Sequence, residues 1–215
     1  MAKVTAEPKP VAPTAGRPRD RRATDGILRA ALELGTELGF DGLTIEGIAA
    51  RAGVGKTTIY RRWPSVWAIV VEAVLADVTQ ISPVVERASA RESFSASMKL
   101  VAKAFRGKNG ALLRPLIGRA QFDDALRAAI SESWLNERRK LSRALVVRGI
   151  ESGELRAGLD PDTVLDALYG PLYHRLLLPY DGTEVRLSDA YIDALIDTIF
   201  GGIERRGANR STRGK

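Results

Sequence analysis

Apolar residues recur at helical spacing along most of the chain, and no stretch alternates with a period of two, so the pattern predicts an all-α protein. From Ala23 to Leu38 the stripe is Ile27, Ala31, Leu34 and Leu38, widened by Leu28 and Leu32. Gly39 is a natural C-cap, with Phe40 folding back as its hydrophobic contact. Thr44 is placed to cap a second helix through Ile45, Ile48, Ala49 and Ala52. Gly53-Val54-Gly55 breaks that helix, and a third runs from about Lys56 to Trp63, where Pro64 stops it. Ser65 caps a fourth helix through Trp67, Ile69, Val70, Ala73 and Val74, ending near Asp77, and Ser82-Pro83 marks a linker. Periodicity returns over 91–106, 110–121 and 124–152, the last with a break around Ser131–Ser133. Asp160-Pro161 supplies a cap and a first-turn proline, and Pro171 predicts a kink after Gly170. Pro179-Tyr180-Asp181-Gly182 reads as a loop, and Ser188 as the cap of a last helix. The total is about nine helices.

The stretch from Thr44 to Pro64 organises the rest. Two short helices joined by a turn of about three residues form the pattern of a DNA-binding helix-turn-helix. In its second helix, Ile59 and Trp63 lie one turn apart and can anchor with Val54 against a core. Lys56, Thr57, Tyr60 and Arg61 fall on the opposite side, flanked by Thr58 and Arg62. Hydroxyls and guanidinium groups suit base edges in the major groove, and cations and a phenol suit phosphates. A solvated polar face on an ordinary helical hairpin is the bland alternative.

Composition narrows the picture. The chain has 215 residues with 45% apolar content, enough for a sizeable core. A formal charge of +7 and a pI near 9.9 suggest a polyanionic partner. There is no cysteine, which removes disulfides, thiol nucleophiles and cysteine-zinc sites, and fits a reducing cytoplasm. The N-terminus lacks the apolar run of a signal peptide, and no apolar segment approaches the ~18 residues of a membrane span. Residues 1–22 read as a disordered basic arm interrupted by Pro8, Pro10, Pro13 and Pro18. Within it Gly16-Arg17-Pro18-Arg19 resembles the core of an AT-hook, whose extended arginines lie in a narrow minor groove. A solubilising tail that touches phosphates non-specifically is the competing reading, with Arg17 and Arg19 the residues at stake. Residues 207–215 form a basic tail of unassigned role.

Residues 23–75 resemble the N-terminal domain of the TetR (tetracycline-repressor) family of bacterial transcriptional regulators. The resemblance rests on Ala30-Ala31-Leu32-Glu33-Leu34, Gly39-Phe40-Asp41-Gly42-Leu43-Thr44, Ile48-Ala49-Ala50-Arg51-Ala52-Gly53-Val54 and Thr58-Ile59-Tyr60-Arg61-Arg62-Trp63-Pro64-Ser65. It implies that Thr44 and Tyr60 contact phosphates, that Lys56, Thr57, Thr58 and Arg61 face bases or nearby backbone, and that Arg62 lies near phosphate. Two positions depart from the family pattern. Gly55 stands where a serine or threonine commonly caps the recognition helix, and Val66 where a phosphate-binding lysine is usual.

The resemblance also implies a helix-turn-helix domain over 23–68 and an antiparallel helical domain over 69–206 that dimerises and binds an effector. Broad apolar faces on the last two helices point to the same dimer, through Leu165, Leu168, Leu172, Leu176, Ile192, Leu195, Ile196, Ile199 and Phe200. Gly170-Pro171-Leu172-Tyr173-His174-Arg175-Leu176-Leu177 resembles one subgroup of TetR C-terminal domains, with His174 beside the interface. Trp67, Phe94, Met98, Phe105, Trp134 and Tyr173 are candidates to line a pocket for an apolar or aromatic effector, although aromatic and methionine side chains at helical spacing more often belong to an ordinary core. No cofactor or metal is expected. With one histidine, no cysteine and no phosphate loop, the chain lacks the usual equipment of an enzyme. The expected partners are a palindromic double-stranded operator, a second copy of the chain and a small effector. A ligand-binding protein with a vestigial helix-turn-helix, or a ligand-independent regulator, remain as alternatives.

Overall fold

The computed structural model describes residues 18–39, 42–178 and 187–205, apart from the side chains of residues 18–20 and Ser133. Arg17, Phe40, the Pro179–Gly182 loop and the 207–215 tail lie outside the described residues. Ten α-helices follow in order: α1 Pro18–Leu38, α2 Ile45–Ala52, α3 Lys56–Tyr60, α4 Val66–Ile81, α5 Ala90–Arg106, α6 Lys108–Ala120, α7 Asp124–Ile130, α8 Asn136–Glu151, α9 Pro161–Leu177 and α10 Asp189–Ile203. The described residues contain no strand beyond one isolated bridge, Leu155 to Glu204. The tenth helix arises where one long helix was expected over 124–152. A π-turn at Ser131–Leu135, on the expected break, divides α7 from α8.

Helix α1 begins earlier than the basic arm was expected to end. Pro18 opens the helix, as its fixed φ and missing N–H allow in a first turn. Pro18 and Arg19 are therefore helical, which is incompatible with an extended Arg-Pro-Arg from Pro18 onward. The stripe of α1 is buried at Ile27, Ala31 and Leu34, but Leu38 is exposed, since the chain turns away at Gly39 (φ +71°). Helix α1 packs on α2 and α4, which closes the three-helix unit over Ile45, Ile48, Ile59 and Trp63. Helix α4 runs four residues past Asp77 to Ile81, because Val78 is fully buried. From there it packs against α6, α7 and the π-turn, so one helix belongs to both halves of the molecule.

The capping reading holds at several points. Thr44, Ser65, Asp160 and Ser188 each accept a backbone N–H of their helix's first turn. Helix α9 continues through Pro171 to Leu177. The α5–α6 corner shows a constraint that periodicity did not reveal: a Cβ at Gly110 would lie 1.9 Å from the Phe105 carbonyl oxygen.

The stripe expected to form the dimer interface is largely this protomer's own core. Leu165, Leu168, Leu172, Leu176, Ile192, Ile196 and Phe200 are buried, and only Leu195 and Ile199 are half-buried. Helix α9 lays its apolar face on α5, α6 and α8, and α10 on α5 and α9, so the nearest helices of the same chain cover it. What faces outward includes Ala167, Gly170 and His174 on α9 and Ala194, Thr198 and Gly202 on α10, beside Asp166, Leu177, Asp193 and Asp197.

Candidate nucleic-acid interface and effector cavity

Helix α3 has five residues, too short to be stable alone, and its pose is set from outside. Ile59 (0% exposed) and Trp63 (3%) anchor it in the core beside the half-buried Val54. Trp63 Nε1 donates to Glu72 Oε2 on α4 at 2.8 Å. On the opposite side Lys56, Thr57, Tyr60 and Arg61 are exposed, Tyr60 to 56%. Thr58 is half-buried in a cleft against Ala23, Thr24 and Ile27 of α1. Thr44 is exposed at the start of α2, its Oγ accepting the Gly47 N–H at 3.0 Å, which leaves its own O–H to donate. Gly55 caps α3 with no side-chain hydrogen bond, as the missing hydroxyl predicts.

Three basic residues are engaged in ways the sequence did not show. Arg62, expected near phosphate, is a clasp within the protomer. Its Nη1 donates to Thr24 Oγ1 at 3.0 Å, its Nη2 to Glu72 Oε1 at 3.2 Å, and its guanidinium lies 5.1 Å from the Trp63 ring centroid. Helices α1, α3 and α4 meet at this one side chain, because the acid that binds it sits ten residues on, in the second turn of α4. Lys56 Nζ lies 3.0 Å from Glu46 Oε1 in the first turn of α2. The hydrogen bond between them raises the lysine pKa and lowers that of the carboxyl. Both stay charged at neutral pH, so a phosphate must compete with Glu46 for this cation. Behind α2, Arg51 is held by Glu37 at 2.7 Å and Glu33 at 3.3 Å, which fixes α2 on α1 and raises the arginine pKa.

A cavity of about 570 Å³ opens among α6, α7, the π-turn, α8 and α9. Of the six residues expected to line a pocket, Trp134 and Tyr173 do so. Phe94, Met98 and Phe105 are core instead: Phe94 packs on Tyr169 and Phe200, and Phe105 sits edge-on to Tyr173 at 5.3 Å. Trp67, half-buried on α4, lies under the Arg119 guanidinium at 4.6 Å and outside the cavity. Sequence reading missed Arg138 and Tyr169, which join Ile117, Ile130 and Leu165 in the walls. Burial pushes both cavity phenols up in pKa, that of Tyr169 opposed by the Ser142 hydroxyl and the Arg138 charge.

Residues 27–73 match the family described as "Bacterial regulatory proteins, tetR family", and residues 84–199 match "Tetracyclin repressor-like, C-terminal domain". The chain belongs to the TetR family. Among its relatives is an uncharacterized helix-turn-helix transcriptional regulator, YdeS of Bacillus subtilis (strain 168). It is 33% identical over 196 residues, which cover 91% of this chain and 97% of that one. The DNA-binding transcriptional repressor TetR of Mycobacteroides abscessus is 27% identical over 191 residues, 88% of this chain and 98% of that one. Among solved structures, the TetR family transcription regulator SCO0332 superposes with a TM-score of 0.72 at 29% identity, covering 86% of this chain and all of the other. This TetR-family chain is thus a helix-turn-helix transcriptional regulator of the repressor kind. No helix among its described residues is long and apolar enough to cross a membrane.

Proposed function

We propose that two copies of this chain pair through the outward faces of α9 and α10 and present their α3 helices to successive major-groove turns of a palindromic operator in the bacterial cytoplasm. Arg61 and Thr57 read bases, with Thr58 beside them, while Tyr60, Thr44 and Lys56 hold phosphates. The small outward residues Ala167, Gly170, Ala194 and Gly202 favour close helix approach, in place of the larger apolar residues that the protomer keeps for its own core. Arg62 holds the recognition helix in place rather than touching DNA. The observation that carries this reading is the split of α3: Ile59 and Trp63 locked inside, and four polar side chains presented outside.

An effector in the 570 Å³ cavity releases the operator. Part of its wall belongs to α7 and the π-turn, which pack directly on α4, and α4 holds α3 through Glu72. The effector acts only by binding one state more tightly, with a coupling of about 1–3 kcal/mol. Footprinting on DNA flanking the chain's own gene tests the reading. It predicts two protected half-sites about 34–36 Å apart, centre to centre. Uniform protection without half-sites overturns it.

A further inference from the structure

Two buried side-chain polar atoms among the described residues have no partner in hydrogen-bonding geometry, Trp134 Nε1 and Tyr169 Oη; the phenol has the Ser142 hydroxyl near it, the indole has nothing, and both side chains line this cavity. Trp134 is 4% exposed. Buried donors without partners are rare, because each has given up its hydration for nothing in return. An indole N–H can only donate, so whatever satisfies it presents an acceptor. Trp134 sits in the π-turn Ser131–Leu135, a helical irregularity frequent at functional sites.

The cavity's charges point the same way. Arg139 is matched by Asp162 at 2.9 Å and Asp166 at 2.8 Å, and Arg127 by Asp124. Arg138 has no described carboxylate in ion-pair range. Its guanidinium lies 5.5 Å from the Trp134 ring centroid and donates to the Ser82 carbonyl. The remaining walls are mainly apolar.

We infer that the cavity takes an apolar organic anion, a ring system or acyl chain bearing a carboxylate, whose oxygens accept from Trp134 Nε1, Tyr169 Oη and the Arg138 guanidinium. Arg138 also carries the signal. Ser82 is the C-cap of α4, so an anion drawn to Arg138 competes for the guanidinium that ties the end of this helix, the helix whose Glu72 holds Trp63. The inference rests on the effector reading above, and specifies its chemistry.

Calorimetric titration of the full chain with matched probes tests it: 2-naphthoate against 2-naphthamide, laurate against lauramide, and 2-naphthylmethylamine as the cationic control. Operator release is followed in parallel by fluorescence anisotropy. At least one carboxylate is expected to bind about tenfold or more tightly than its amide, with the amine excluded. Arg138→Gln erases that preference and spares the amide's affinity, while Arg138→Lys retains part of it. Equal binding of carboxylate and amide, binding of the amine as tight as the acid, or a preference that survives Arg138→Gln overturns the inference. The amine comparison needs no variant, so it decides even if Arg138→Gln fails to fold. An amide that binds and releases operator as well as its acid refutes the anion while leaving the effector reading intact. No binding by any probe at about 1 mM, with the operator complex unmoved, counts against both.

Discussion

Removing the Glu72 carboxylate tests whether the recognition helix is held from outside itself. Glu72→Ala leaves the indole N–H of Trp63, 3% exposed, without its acceptor at 2.8 Å. An orphaned buried donor costs about 1–3 kcal/mol. The lost Arg62 contact at 3.2 Å adds less than about 1 kcal/mol, because the two side chains are 49% and 40% exposed and water screens them. The total is about 2 kcal/mol, which for a chain of this length lowers Tm by about 4–8 °C. Glu72→Gln keeps an acceptor for Trp63 and loses only the charge, so its Tm falls by no more than about 2–4 °C. Thermal melts followed by circular dichroism measure both, and anisotropy with labelled operator at a temperature where all variants are folded shows whether a loosened α3 also weakens binding. Equal melts for the two Glu72 variants would refute the role given to the Trp63 bond. An Arg62→Ala variant with unchanged Tm but lost DNA affinity would return Arg62 to the phosphates.

Three further outcomes follow from individual contacts. Lys56→Ala removes a phosphate contact, so operator binding weakens at low salt and the slope of log K against log salt flattens by about 0.9, whereas Glu46→Gln relieves the competition and tightens binding; an unchanged slope for Lys56→Ala removes Lys56 from the interface. Gly110→Ala forces a methyl to within 1.9 Å of the Phe105 carbonyl, so the α5–α6 corner must shift, at a cost of about 3 kcal/mol or more, read as a lower Tm or insoluble expression. At Asp160 the Thr163 hydroxyl and N–H hold the carboxyl below its usual 3.8. A depressed folded-state pKa gives stability that is present above 3.8 and lost as pH falls through the folded value. Asp160→Asn caps without titrating, so it flattens that acid limb in Tm measured downward from neutral pH.

The helix-turn-helix was legible because its information is local. Period, cap and glycine turn place Ile59 and Trp63 inside and Tyr60 and Arg61 outside, and the structure agrees at each. The contacts of Arg62 within the protomer were not legible, because its partners, Thr24 and Glu72, come from two other helices, and nothing in the local pattern tells a clasp from a phosphate contact. Most of the stripe expected at the dimer interface is buried within the protomer for a related reason. Periodicity shows that a face is covered but not which neighbour covers it, and α5, α6 and α8 reach Leu165, Leu168 and Leu172 before any second copy can. The cavity was half legible. Trp134 and Tyr173 carry aromatic signals, whereas Arg138 and Tyr169 reach it from α8 and α9, joined only by tertiary packing. The early start of α1 at Pro18 reflects a proline that opens a helix as readily as it interrupts one.

The central claim is that α3 reads duplex sequence with the face opposite Trp63, and paired binding curves for Arg61→Ala and Tyr60→Ala on operator and scrambled DNA test it most directly. The wild-type chain is expected to prefer operator by about 10³-fold or more at physiological salt. Tyr60→Ala lowers affinity for both DNAs alike, whereas Arg61→Ala narrows the gap between them. Equal losses on both DNAs for Arg61→Ala, or a wild-type chain that cannot tell operator from scrambled sequence, would contradict it.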